Sequence, residues 1–218
     1  MISAYSYSEA GGHDFNEDAF SLHTHPLEPE CWVCVIADGQ GGQSGGGPAA
    51  QLASQTALTT ALALPPERLI KPASWINVVR TADRAVAGDR GAGFTTLVGL
   101  CVYGGRIAGA SNGDSAAILI TEGRPITLTA RQRKNPPVGS GAVDAVSFAA
   151  ATKESWKLLA MSDGVWKYVG WERLVETMQS GGGRALIDQL QRAARLPGNG
   201  CFQDDFTVVL LEASAPNH

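Results

Sequence analysis

Apolar and polar positions alternate with a period of two through residues 2–8, ISAYSYS, as in a strand with one buried face. A glycine turn and the acidic pair Glu17 and Asp18 lead into a second short strand over 19–23. The apolar run CWVCVIAD, 31–38, reads as a buried third strand that pairs with it through the 26–29 loop. This run ends on Asp38 and opens into a turn containing Gly39, Gly41 and Gly42. Residues 48–64, rich in alanine and leucine with proline at their start, predict a helix that Pro65 and Pro66 stop. A second helix is predicted over 73–86, where Trp75, Ile76, Val79, Ala82 and Val86 form one stripe before Gly88. From Phe94 the period returns to two. TTLVGLCVY and RIAGAS, joined by Gly104 and Gly105, predict a hairpin, and SAAILI and PITLT, joined by Glu122 and Gly123, predict another. Residues 130–140 form a basic, proline-bearing loop. Strands over 145–150 and 156–161, helices over 171–179 and 184–195, and a final buried strand within CFQDDFTVVLLEA complete the chain. That order predicts an α+β fold of antiparallel sheets flanked by helix pairs, not an alternating βαβ fold.

Composition narrows the picture. With 218 residues, 44% of them hydrophobic, the chain can bury one substantial core, so a single domain over 1–218 is expected. The 26 glycines cluster at turns without a repeat period, which argues against disorder. A net charge of −4 argues against nucleic acid or an acidic membrane as the main partner. No signal peptide and no long apolar run is found, so a cytoplasmic protein is expected. The four cysteines, Cys31, Cys34, Cys101 and Cys201, form no secreted-type framework and are read as core thiols. Cys31 and Cys34 are three apart on a strand, point to opposite faces and cannot chelate one ion. His23 and His25, two apart on a strand, share a face and read as solvent-exposed, while Trp156, Trp166 and Trp171 read as packing residues.

The candidate chemistry lies in acidic residues that share one setting. Asp18 precedes a strand, Asp38 ends one, Asp114 sits in a predicted hairpin turn NGDS, Asp163 follows the apolar LLAM, and Asp204 precedes FTVVLL. Any one alone reads as a turn or helix cap rather than a ligand. Together, at strand ends, they can converge on one rim. A lone buried carboxylate costs several kcal/mol unless paired or bound to a metal. Oxygen-only donor sets suit Mg2+ or Mn2+, and two such ions about 3.5–4 Å apart can share a carboxylate and activate water against a phosphate ester. A nucleotide-binding fold built on the DGQGG loop is disfavoured because no lysine follows the glycines as a P-loop needs, and no nucleophile elbow is present.

NEDAF, VIADGQGGQSGG, FTTLV, SNGDSAAIL, LLAMSDGVW and DDFTVVLL follow one another along most of the chain. In that order they resemble the successive motifs of the type 2C metal-dependent serine/threonine protein phosphatases, in a compact bacterial form. The resemblance implies a four-layer α-β-β-α sandwich with a two-metal centre at one end. It makes Asp38 the carboxylate shared by both metals and the Gly39 carbonyl a ligand of one. Asp163 and Asp204 would hold the other, Glu17 and Asp18 would act directly or through water, and Asp114 would belong to a weaker third-metal site. Asp204 is preferred to Asp205 because it stands three before Thr207, as the family's pattern requires.

Some positions depart from the family. His13 stands where an arginine commonly grips substrate phosphate, which makes it a catalytic candidate beside Asp38 and Asp163. Gln40 and Gln43 replace the usual Met and His, and Ala116 replaces an arginine. The segment between Asp114 and Asp163 is short, and Arg131, Arg133 and Lys134 there read as a solvated loop rather than a replacement phosphate clamp. The implied activity is a metal-dependent hydrolase of signalling phosphoproteins, with a phosphorylated protein, a serine/threonine kinase or the kinase's target as partner. The competing reading is a catalytically weak domain that binds phosphoproteins or a partner domain.

Overall fold

The computed structural model describes residues 1–12, 14–40 and 45–214. Its elements are β1 (Ser3–Glu9), β2 (Asp18–His25), β3 (Glu28–Asp38), α1 (Gly46–Leu62), α2 (Pro66–Leu69), α3 (Pro72–Gly88), β4 (Leu97–Tyr103), β5 (Arg106–Asn112), β6 (Ala116–Thr121), β7 (Arg124–Thr127), β8 (Val146–Ala151), β9 (Trp156–Met161), α4 (Asp163–Val169), α5 (Trp171–Ser180), α6 (Gly183–Ala194) and β10 (Phe206–Ala213). They build two five-stranded sheets, β1-β10-β9-β6-β7 and β2-β3-β4-β5-β8, with every strand pair antiparallel. This is the predicted α+β sandwich. Among the described residues no helix is long and apolar enough to cross a membrane.

The period-two pattern explains the layering. Along β3, Cys31, Val33, Val35 and Ala37 face α1 and α3, while Cys34 and Ile36 face the opposite sheet. Both faces of the strand are therefore apolar, which is why it reads as a continuous run. Along β10, Phe206, Val208 and Leu210 face α4 and α6, and Val209 and Leu211 face the first sheet's partner across the sandwich. Three apolar layers result: one between each sheet and its helices, and one between the sheets.

Several expectations are corrected. The predicted helix over 48–64 runs two residues earlier at both ends, as Gly46–Leu62. On α3 the fully buried stripe is Trp75, Val78, Val79, Ala82 and Val86, with Ile76 at its margin. NGDS is not a hairpin turn: β5 and β6 belong to different sheets, and the turn carries the chain from one to the other. The DGVWKYV segment is a helix of its own, α4. His25 is buried, with Nε2 3.0 Å from the Leu64 carbonyl, because a bulge between Thr24 and His25 breaks the alternation that would have left it beside exposed His23. Cys201 is exposed, whereas the other three cysteines are buried as expected.

Candidate metal and phosphate site

Strand direction alone assembles the site. β3 and β5 run the same way because β4 lies antiparallel between them, so Asp38 at the end of β3 and the NGDS turn after β5 emerge at one end of their sheet. In the other sheet β9 is antiparallel to β6 and β10, so Asp163 after β9 and Asp204 before β10 emerge together. β2 starts at the same rim, with Asp18 directly opposite Asp38 in the register. The rim encloses a cavity of about 480 Å3 lined by Glu17, Asp38, Gly39, Asp114, Asp163 and Asp204 among others.

The backbone around Asp38 is fixed by the threonines of FTTLV. Asp38 N–H donates to Thr96 Oγ1 at 3.0 Å, and the Asp38 carbonyl accepts from Thr95 Oγ1 at 2.8 Å and Thr96 N–H at 2.9 Å. Gly39 then passes close to two other segments. A Cβ on it would stand 2.4 Å from the Gly46 carbonyl and 2.8 Å from that of Glu17, so only glycine lets β3, the Glu17 loop and the start of α1 meet. Gly164 plays the same part on the other sheet, since a Cβ there would be 2.0 Å from the Asp205 carbonyl.

The two neighbouring aspartates near the C-terminus have different surroundings. Asp205 is buried, and its carboxylate accepts Gly11 N–H at 2.7 Å and Glu17 N–H at 2.6 Å. It clamps the loop that carries Glu17. Among the described residues Asp204 accepts only its neighbour's N–H, from Asp205 at 3.0 Å, and it lines the cavity.

Electrostatically the rim is strained. Both oxygens of Asp18 are buried without a hydrogen-bond partner among the described residues. Burial pushes its carboxyl well above the ordinary value, with Asp205 and Asp163 adding to the rise and the nearby hydroxyls of Ser162 and Thr207 opposing it from beyond hydrogen-bond geometry. Asp38 is raised further, first by burial and then by Asp18, Asp163 and Asp114, against one weak donor, Asp163 N–H at 3.5 Å. Asp163 is raised by burial, with Lys167 opposing. Carboxyls in this condition favour either a proton or a cation.

Two lysines supply part of that positive charge. Lys167, one helical turn after Asp163 on α4, pairs with it, and Lys134 Nζ lies 2.7 Å from Asp114 Oδ2. With Asp163 and Asp114 turned to these lysines, no three His, Cys, Asp or Glu side chains among the described residues are grouped to hold a single ion. The donor chemistry nonetheless fits a hard divalent cation: the carboxylate residues Glu17, Asp38, Asp114, Asp163 and Asp204 line the cavity, and the Asp18 oxygens have no hydrogen-bond partner among the described residues.

Of the predicted site residues, Glu17, Asp38, Gly39, Asp114, Asp163 and Asp204 line one cavity, and Asp18 lies beside Asp38 on the adjacent strand without lining it. His13, Gln43, Gly41 and Gly42 lie outside the described residues. Lys167 was missed, although an Asp-to-Lys spacing of four is visible once 163–169 is read as helix. In the 130–140 loop Arg131, Arg133 and Lys134 are exposed as expected; Arg133 pairs with Asp144, and Lys134, paired with Asp114, stands at the edge of the cavity.

Comparison with known proteins agrees with this architecture. A search of curated proteins returns no match. Among solved structures, the chain is similar to a bacterial serine phosphatase at 19% identity and a TM-score of 0.79, covering 100% of each chain. It is similar to the serine/threonine phosphatase PstP/Ppp of Mycobacterium tuberculosis at 21% identity and a TM-score of 0.77, covering 98% of this chain and 99% of that one. It is also similar to RsbX in complex with magnesium, at 15% identity and a TM-score of 0.75, covering 98% and 96%. The fold is thus that of the type 2C phosphatases. Residues 28–214 match the family described as Stage II sporulation protein E (SpoIIE), and the chain belongs to that family.

Proposed function

We propose that this chain is one catalytic domain, a Mg2+- or Mn2+-dependent phosphatase that hydrolyses phosphoserine and phosphothreonine in proteins. The observation that carries the reading is the meeting of Asp38 and Asp18 from one sheet with Asp163 and Asp204 from the other, at a cavity where burial and mutual repulsion raise three of the four carboxyls. Asp38 would be shared by two cations, with the Gly39 carbonyl completing one site and Asp163 and Asp204 the other. Glu17 and Asp18 would act directly or through water, and Asp114 would serve a weaker third site. Bound there, the cations would supply Lewis acidity to the phosphoryl oxygens and lower the pKa of the attacking water. No phosphoenzyme forms.

The chain's own residues position this chemistry. Thr95 and Thr96 fix the Asp38 backbone. Asp205 holds the Glu17 loop against the start of β10. Lys167 balances Asp163 and sets its orientation. His13, from its place in the motif, would meet the substrate phosphate. The solved structure of RsbX with magnesium supports a divalent cation in this fold. A signalling phosphoprotein in the cytoplasm, and the kinase that modifies it, are the partners this activity calls for. The competing reading, a binding module without turnover, leaves unexplained why so many mutually repelling carboxylates face one cavity.

The test is hydrolysis of p-nitrophenyl phosphate with Mn2+ against a chelator-treated control. Metal-dependent turnover is expected; its absence at any Mn2+ or Mg2+ concentration removes the reading.

A further inference from the structure

Beside the acidic cavity lies a second, shallower groove of about 290 Å3. The two are continuous, because Gly113, Asp114 and Lys134 line both. Their walls differ in kind. The cavity is walled by carboxylates, and Lys134 is the one cationic side chain among the described residues that lines it. The groove is lined by Ala116, Thr129, Ala130, Trp166 and Trp171, with Thr127 and Gln132 beside them.

Both features are held in place. The indoles of Trp166 and Trp171 meet edge to face, centroids 6.4 Å apart at 79°, and Trp166 Nε1 donates to the Asp114 carbonyl at 3.0 Å, where the groove joins the cavity. Both tryptophans are half-buried, so each presents apolar surface to the groove. The backbone on either side of Lys134 is tied to the NGDS turn. Gly113 N–H donates to the Arg133 carbonyl at 2.8 Å, Asn112 Nδ2 to the Pro136 carbonyl at 3.1 Å, and Gln132 Nε2 to the Ser115 carbonyl at 2.8 Å. The ammonium therefore stands at the mouth by construction of the loop.

A phosphate approaching a ring of carboxylates needs a cation on its outer side, and an ammonium with three donors supplies it. Away from Lys134, the alanines and two indoles of the groove offer little to a phosphate and much to a hydrocarbon side chain. Adjacent residues of an extended peptide, with Cα atoms about 3.8 Å apart, bring those two chemistries side by side. We propose that Lys134 grips the phosphate of a phosphoserine or phosphothreonine peptide and that the Trp166–Trp171 groove takes a bulky apolar side chain next to the phosphorylated residue. The inference rests on the phosphatase reading and deepens it. It makes the preferred substrate a phosphopeptide segment with an apolar neighbour, not a small phosphate ester.

The test compares phosphoserine peptides that differ only in carrying Leu or Gly next to the phosphoserine, on either side, with the Mn2+-loaded protein. The wild type is expected to favour the Leu peptide on one side by about tenfold in kcat/KM. Trp171→Ala should shrink that ratio to about twofold or less, and Trp171→Phe should keep most of it. Lys134→Ala should raise KM for both peptides about tenfold with kcat changed less, and Lys134→Arg should restore it. Calorimetric binding of non-hydrolysable phosphonate versions of the same peptides should show the same Leu preference and the same losses. Equal values for Leu and Gly peptides in the wild type, or a ratio that Trp171→Ala leaves intact, overturn the groove. A KM that Lys134→Ala does not move overturns the grip. If the wild type turns over no phosphate ester at all, the phosphatase reading fails, and the phosphonate titrations still decide this one.

Discussion

At the scale of single residues, Asp204 and Asp205 stand next to each other and are predicted to fail in different ways. Asp205→Ala leaves the Gly11 and Glu17 N–H groups without a charged acceptor in a buried setting, and should cost roughly 2–4 kcal/mol of stability in urea unfolding. Asp204→Asn should change stability by less than about 1 kcal/mol yet weaken Mn2+ binding in a calorimetric titration. The opposite pattern would exchange the two roles. Asp38→Asn should lower p-nitrophenyl phosphate turnover by at least about 100-fold, while raising the melting temperature in chelator because a raised, crowded carboxyl is removed. The spacing of Asp204 to Thr207, on which its preference as a ligand rests, was legible in the sequence. The clamp made by Asp205 was not, because its partners are backbone groups nearly two hundred positions away in sequence. His25 was misread for a similar reason, since a bulge shifts side chains from face to face and leaves no mark in composition.

At the scale of elements, long periodic stretches were legible and connections were not. Both hairpins were visible in their turn residues, and the structure gives Gly104, Gly105, Glu122 and Gly123 the positive φ that such turns need. The short α4 was hidden because seven residues are too few to show a period, and NGDS was mistaken because a turn between sheets uses the same residues as a turn within one. The charges of the loop after β7 are exposed as read, and its backbone is pinned at both ends. The far end is held by Asp83 of α3, a buried carboxylate that accepts N–H groups from Gly139, Gly141 and Val143 at 2.8, 3.1 and 3.2 Å. The near end is held where Leu128 N–H donates to the Ala117 carbonyl at 2.8 Å and Thr129 Oγ1 accepts Ala117 N–H at 3.2 Å. Asp83→Ala should therefore release the loop, with loss of hydrogen-exchange protection at residues 139, 141 and 143 and a stability cost of about 3 kcal/mol. Because the same loop carries Lys134, KM for a phosphopeptide should rise in this variant although Asp83 lies outside the acidic cavity. Retained protection at those amides would show that α3 does not hold the loop.

At the scale of the whole molecule, the fold sets carboxylates against one another, and stability is coupled to charge at the rim. The motifs announced the acidic residues one at a time, but their convergence depends on which strands share a sheet and which way each runs, and pairing across the chain is not written in local periodicity. The consequence is a pH dependence whose sign follows from linkage. Asp38 is raised from 3.8 to about 9, and Asp18 and Asp163 are raised as well, so across that interval the native state binds more protons than the unfolded chain. Stability of the metal-free protein is therefore greatest below the ordinary carboxylate value as far as these groups are concerned, and declines as pH rises towards about 9. In chelator the melting temperature should fall steadily between pH 6 and pH 9, and Asp38→Asn should remove much of the slope. A cation that binds the native carboxylates replaces the missing protons. Mn2+ at about a hundred times its dissociation constant should add about 2.7 kcal/mol, or roughly 5–10 °C for a chain of this size, and the gain should grow with pH because proton and metal compete for the same oxygens. Melting curves with and without Mn2+ at pH 6, 7.5 and 9 measure both effects at once. A chelated protein whose melting temperature rises over that range would mean that the raised carboxyls do not govern its stability, and a Mn2+ gain that shrinks with pH would mean that the ion binds somewhere other than this rim.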